Sequence, residues 1–260
     1  MNDIKALRLN GNQLKLIAVV SMVLDHIGYL LGGDGCLLPR MDAGEPPGVW
    51  GPVYCFLRMV GRVAFPIFCF FLLEGFLHTR DWKRYALRLG VFAVIAEIPF
   101  DLMGAQTAVD WEAQNVFFTL FLGLLLMKAL EMIQARIVPD TSAGPRGLGM
   151  EPALFLQLLV ILLFCGAAWL LRTDYDYIGI MLIALFYWFR QDRRKQCVLG
   201  FVWMSVTMGI WYIIPGLALG FLLIYLYNGQ RGSWRGKYFF YLFYPVHMVM
   251  LAAVYDVIFR

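Results

Sequence analysis

Leu14 to Gly32, LKLIAVVSMVLDHIGYLLG, is an apolar stretch whose charge-bearing side chains are Lys15, Asp25 and His26. About 20 apolar residues suffice to cross a bilayer as a helix. Ionisable groups inside such a helix are costly, face the bundle interior, and mark functional sites. Lys15 precedes His26 by eleven residues, three helical turns or ~16 Å at ~1.5 Å per residue. One helix thus holds a cation near one membrane face and a proton-exchanging imidazole deep inside. Further apolar stretches carry Arg62, Glu97 with Asp101, and His247, and Asn115 opens another. Glu97 and Asp101, spaced i,i+4, share a helix face. A base, a guanidinium, carboxylates and an amide form a set suited to proton transfer and to stabilising developing negative charge.

Composition sets the stage for these residues. Apolar residues make up 61% of the 260-residue chain and charged residues 15%, against ~25% charged in soluble domains, and mean hydropathy is +0.68. The apolar runs are too long for the ~11-residue helices of soluble folds. The expectation is an all-α, polytopic transmembrane bundle of about nine helices, residues 1–260 forming one integral membrane domain. Its spans fall near 14–32, 53–77, 86–104, 115–133, 153–171, 177–189, 197–214, 216–227 and 238–259, the eighth being short for a crossing. Pro99 is expected to kink the third. The 33–52 loop is Gly- and Pro-rich, with Trp50 as an interfacial anchor. Residues 134–152 read as a flexible cytoplasmic loop. The first run is too long for a cleavable signal peptide and lacks a small-residue cleavage site, so it reads as an anchor. The five cysteines, Cys36, Cys55, Cys69, Cys165 and Cys197, show no CxxC or CxxH spacing, so neither a disulfide framework nor a metal site is expected.

The net charge of +4 comes from basic residues grouped in alternate connectors, which reports topology rather than nucleic-acid binding. Arg80, Lys83, Arg84 and Arg88, then Arg190, Arg193, Arg194 and Lys195, fall on the same side as the leader, and Arg231, Arg235 and Lys237 join them. By the positive-inside rule that side, with the N-terminus, is cytoplasmic and the C-terminus faces out. His26, Arg62, Glu97, Asp101 and Asn115 then crowd the outer half, and His247 lies near mid-membrane. Uncompensated charges there cost several kcal/mol, so pairing around a polar cavity is expected.

Packing explanations stand beside these. Arg62 paired with Glu97 or Asp101 would fix helix packing without chemistry. Asp25 reads as a packing group or, less readily, as an orienter of His26, since adjacent helix residues do not face each other. Glu74 and His78 can snorkel at the inner interface. His247 is balanced between core and site. Arg80, Lys83 and Arg84 serve as topology determinants as readily as ligand contacts.

LKLIAVVSMVLDHIG, GRVAFPIF with Gly61 and Arg62, EIPFD at 97–101, QNVFFTLFLG and KYFFYLFYPVHMVML resemble, in order and over nearly the whole chain, the TraX family of bacterial inner-membrane proteins, named for conjugative pilin N-acetylation. That family is similar, more distantly, to the wider transmembrane acyltransferases, whose first helix carries an Arg/Lys-x10-His pattern with the histidine as catalytic base. Lys15-x10-His26 matches that spacing. The resemblance implies an acyl-CoA donor, acetyl-CoA foremost, presented from the cytoplasm, and an amine or hydroxyl acceptor on a protein N-terminus, glycan or lipid. On this reading His26 is the general base and Arg62 or Asn115 stabilises the oxyanion. Glu97 or Asp101 holds the imidazole or Arg62. Lys15, Arg80, Lys83, Arg84, Arg88 and His247 are candidates for contacts to the donor. The competing expectation is a transporter relaying protons or solute through the same buried groups, although no inverted repeat is evident. A scaffold whose polar groups only specify packing is the third.

Overall fold

The computed structural model describes residues 8–32, 51–105, 107–136, 150–233 and 239–259, and in them it is all-helical. The helices are α1 (Gly11–Gly32), α2 (Gly51–Gly61), α3 (Ala64–His78), α4 (Trp82–Gly104), α5 (Val116–Gln134), α6 (Met150–Leu170), α7 (Asp176–Trp188), α8 (Arg193–Met208), α9 (Ile214–Tyr225) and α10 (Phe239–Phe259). Counting α2 and α3 as one broken rod gives nine among the described residues, as expected from the sequence. Five apolar segments are long enough to cross a membrane: α1, α2–α3, α5, α6 and α10. The expected loops at 33–52, with Cys36 and Trp50, and at 134–152 lie mostly outside the described residues. Lys5, Arg235 and Lys237 lie outside them entirely.

Helix α3 is the hub, packed against α1, α5, α7 and α9. Its sequence has almost no polar face, and Phe65, Ile67, Phe70, Leu73 and Phe76 are all buried. Helix α6 touches mainly α5 and α7 and turns Leu162 and Leu163 outward, 68% and 62% exposed, as a lipid-facing helix should.

The ends of the bundle are tied by backbone. At one end, Leu9 donates to Leu226 (3.2 Å), Asn228 donates to Leu9 (3.0 Å) and Gly11 donates to Gln230 (2.7 Å), so the start of α1 meets the end of α9. At the other, Gln114 donates to the Arg172 carbonyl (2.9 Å) and Asp174 donates to Gln114 (2.7 Å), pinning the α6–α7 turn to the entrance of α5.

Two departures from the spans read in the sequence have a clear backbone cause. The second span breaks at Arg62–Val63 because Pro66 has no N–H for the Arg62 carbonyl. The turn there tightens to Arg62 N–Met59 O and Val63 N–Val60 O bonds of 3.2 Å each. Helix α8 ends at Met208, short of the expected 214, because Gly209 takes φ +63° as a left-handed C-cap. A 3-10 turn, Trp211–Ile213, then leads into α9 with Pro215 in its first turn. Helix α4 stays helical through Pro99 to Gly104.

Gly216 and Gly220, a small-xxx-small pair, let α9 lie on the backbone of the α2–α3 break. A Cβ on Gly216 would overlap the Met59 carbonyl oxygen, and one on Gly220 would sit 3.2 Å from the Val63 Cα. Gly216→Leu is therefore expected to destabilise the protein by about 3 kcal/mol or more, through overpacking against backbone. Gly166→Ala, at a position with nothing within 4 Å, should leave thermal unfolding in detergent unchanged. Equal midpoints for the two variants would refute the close approach.

Candidate active site at the His26–His247 pair

The imidazole of α1 meets the imidazole of α10. His26 Nδ1 lies 2.7 Å from His247 Nε2, with the ring planes within 7° of parallel. His247 Nδ1 lies 2.9 Å from the Phe243 carbonyl, one turn back on α10. A carbonyl only accepts, so His247 Nδ1 carries the proton and donates. Neutral His247 then offers a lone pair at Nε2, and His26 Nδ1 must carry the proton that fills it. The remaining lone pair of the chain is at His26 Nε2. Phe243 thus sets the tautomer of His247, which sets that of His26, as a second partner does for any working histidine. His247 is 5% exposed, and Tyr244 stands edge-on to the His26 ring, centroids 6.2 Å apart.

Asp25 points elsewhere, because neighbours on a helix diverge by about 100°. Its Oδ2 accepts from Arg58 Nη1 at 2.8 Å and its Oδ1 from Arg62 Nη2 at 2.6 Å. Arg58 and Arg62 are four residues apart and share a face. Gly61 makes the approach possible: any Cβ there would overlap the Asp25 carboxylate. Ser21, one turn before Asp25, donates to the Val60 carbonyl at 2.7 Å, securing α1 to the broken turn.

Each of the three guanidinium nitrogens of Arg62 has a partner. Besides Asp25, its Nη1 donates to the Tyr175 hydroxyl (3.0 Å) and its Nε to the Arg58 carbonyl (3.3 Å), and it is 7% exposed. Arg58 is not so consumed: its side chain is 22% exposed, its Nη1 meets Asp25, and its guanidinium lies 5.8 Å from the Tyr29 ring centroid. Tyr175 stacks on Phe65, centroids 3.6 Å apart, from a turn in which Arg172, Tyr175 and Asp176 all have positive φ (53°, 61° and 43°). Three non-glycine residues in the left-handed region store strain that only a constrained site retains. Thr119 donates to the Asp174 carbonyl and pins the turn. Burial pushes the Asp174 carboxyl up to about 6.

The expected partnership of Arg62 with Glu97 or Asp101 is not what forms. Glu97 is taken by Asn115, whose backbone N–H donates to Glu97 Oε2 at 3.2 Å and whose side-chain amide also donates to it. Asn115 is the N-cap of α5, its Oδ1 accepting from Phe117 N at 3.0 Å, and its amide donates to the Ala93 carbonyl at 2.8 Å. These bonds engage its donors and leave no spare one for an oxyanion. Asp101 accepts from Asp110 N at 2.9 Å. Glu97 and Asn115 join α4 to the entrance of α5 and Asp101 holds the loop between them, while His26 pairs with His247 and the neighbouring Asp25 pairs with Arg62 on another face of α1.

The cations expected to meet the donor divide. Lys15 Nζ lies over the Phe71 and Phe240 rings, 4.7 and 5.4 Å from their centroids. Arg88 lies 5.7 Å from the Tyr85 centroid, with a buried Nε that has no hydrogen-bond partner among the described residues. Arg80, Lys83 and Arg84 are exposed, and Arg84 pairs with Asp81 at 3.0 Å. Sequence reasoning missed Arg58 and Tyr175. The i,i+4 spacing of Arg58 and Arg62 was a signal for the first; no pattern in RTDYDY announced the second.

Removing Asp25 strands the buried Arg62 guanidinium, and breaking a buried pair in this way costs about 3–5 kcal/mol. Asp25→Ala should therefore lower the thermal midpoint in detergent far more than Arg58→Ala, which leaves Asp25 paired with Arg62. Equal losses would contradict the arrangement.

The TraX protein family model matches residues 10–255. The chain is 30% identical, over a 266-residue alignment, to the probable fimbrial assembly protein FimC, serogroup H1, of Dichelobacter nodosus, with 93% of each chain covered. A protein of Rickettsia prowazekii (strain Madrid E), RP591, is 26% identical over 110 residues, covering 42% of this chain and 33% of that one. No solved structure matches. With the family model spanning nearly every residue from the start of α1 to the last turns of α10, this membrane protein belongs to the TraX family.

Proposed function

We propose that the protein is a membrane-embedded acyltransferase that moves an acyl group, acetyl foremost, from acyl-CoA to an amine or hydroxyl, with His26 as general base. The observation that carries this reading is the hydrogen-bond chain Phe243 carbonyl–His247–His26, which leaves an unshared lone pair at His26 Nε2. A base needs an available lone pair and a fixed ring, and the chain supplies both.

His26 Nε2 takes the proton of the acceptor N–H or O–H as that atom bonds to the thioester carbonyl carbon. The carbonyl oxygen gains the negative charge, and Arg58, with donors beyond the one given to Asp25, is the candidate to stabilise it. Arg62, with every guanidinium nitrogen already held by a protein partner, and Asn115, whose donors are committed, are positioning residues. When the C–S bond breaks, the proton on His26 passes to the departing sulfur, and atoms and charge balance. Lys15 and Arg88 fit the anionic part of the donor better than exposed Arg80, Lys83 and Arg84. Lys15 stands ~16 Å along α1 from His26, so donor phosphates and thioester need not crowd one another.

On this reading the N-terminus is cytoplasmic, by the distribution of basic connectors, and the membrane is the bacterial inner membrane. The similarity to a fimbrial assembly protein favours the N-terminus of a pilus subunit as acceptor.

In proteoliposomes supplied with radiolabelled acetyl-CoA and an amine acceptor, His26→Ala should cut transfer by about 10²–10⁴-fold, the usual worth of a general base. Arg58→Ala should cut it by about 10²–10³-fold, each with the wild-type thermal midpoint nearly retained. Undiminished transfer by folded His26→Ala would overturn the assignment.

A further inference from the structure

The outer wall formed by α4 and α5 carries a groove that acyl transfer does not use. Its floor is made by Ala86 and Gly90 of α4 and by Phe121 of α5, and its sides include Leu87, Val91 and Val94. Apart from Lys83 and Trp82, at the end where α4 begins, every lining residue is apolar or glycine. The groove runs over small residues four apart on α4, Ala86 and Gly90, and at Gly90 a Cβ would lie 3.5 Å from the Phe121 ring. Leu87 and Val94 are 66% and 67% exposed, as side chains on a lipid-facing wall are.

Charge and dimension choose the occupant. Lys83 makes no ion pair among the described residues, whereas its neighbour Arg84 pairs with Asp81 at 3.0 Å and nearby Lys128 pairs with Glu131 at 2.6 Å. Its ammonium is thus available to an anion at the mouth of an apolar trough, beside an indole that favours the headgroup level. From Lys83 to Ile95 the groove runs ~18 Å along α4. Its volume is 690 Å³, and over that length an extended hydrocarbon chain can lie along it.

We propose that this groove is a specific site for an anionic glycerophospholipid, its phosphate on Lys83 and its acyl chain along Gly90, Val91 and Val94. Basic residues beside grooves between membrane helices recognise anionic headgroups in this way. The site requires no assumption about catalysis at His26.

The test is native mass spectrometry of the full-length protein released from nanodiscs of equimolar phosphatidylglycerol and phosphatidylcholine. The wild type should retain about one phosphatidylglycerol and favour it over phosphatidylcholine at least tenfold. Lys83→Gln, at an exposed position that does not endanger folding, should abolish the preference, and Gly90→Trp should abolish retention of both lipids. Equal retention of the two lipids by the wild type, an unchanged preference in Lys83→Gln, or a photo-crosslink from position 87 to a protein helix instead of lipid would each overturn it.

Discussion

A single carboxylate shared between two guanidiniums ties the structure together at its most vulnerable point. The α2–α3 rod is broken by Pro66 inside the membrane-spanning part of the bundle, where unsatisfied backbone is costly. Asp25 closes that break from α1, bonding Arg58 before it and Arg62 at it, while Ser21 takes up the Val60 carbonyl. Gly61 and Gly216 are small because Asp25 on one side and α9 on the other press against the same turn. An ion pair at this depth is weak evidence for added stability. What it provides is geometry, since it fixes the rotation of α1 about its own axis.

That rotation places the His26 imidazole. Once Asp25 is committed to the arginines, His26 must point about 100° away, toward α10, where His247 waits with its tautomer already fixed by Phe243. The adjacent pair Asp25–His26 faces two ways, with an ion pair to the arginines on one face and the hydrogen bond to His247 on the other. Tyr175, held in a strained left-handed turn, takes Nη1 of Arg62, so that every guanidinium nitrogen of Arg62 has a partner while Arg58 is held to Asp25 through Nη1 alone.

Much of this was legible in the sequence. Apolar runs predict the spans to within a few residues, because helices in a membrane must satisfy their own backbone, and ionisable residues inside them single out His26, Arg62 and His247. The partnerships were not legible. Glu97 and Asp101 lay at the right depth for Arg62, but depth leaves helix azimuth free, and Asn115 claimed Glu97 by capping α5. Gly209, whose positive φ ends α8 early, reads in sequence like any other glycine. Tyr175 acts through a backbone conformation that no side-chain pattern encodes.

Nitrogen NMR of the histidine-labelled protein in lipid bilayers at neutral pH reads the lone pair at His26 Nε2. His26 and His247 should both be neutral rings protonated at Nδ1, with a hydrogen bond detected between His26 Nδ1 and His247 Nε2. A His26 ring protonated at Nε2, or no coupling between the two rings, would contradict this arrangement.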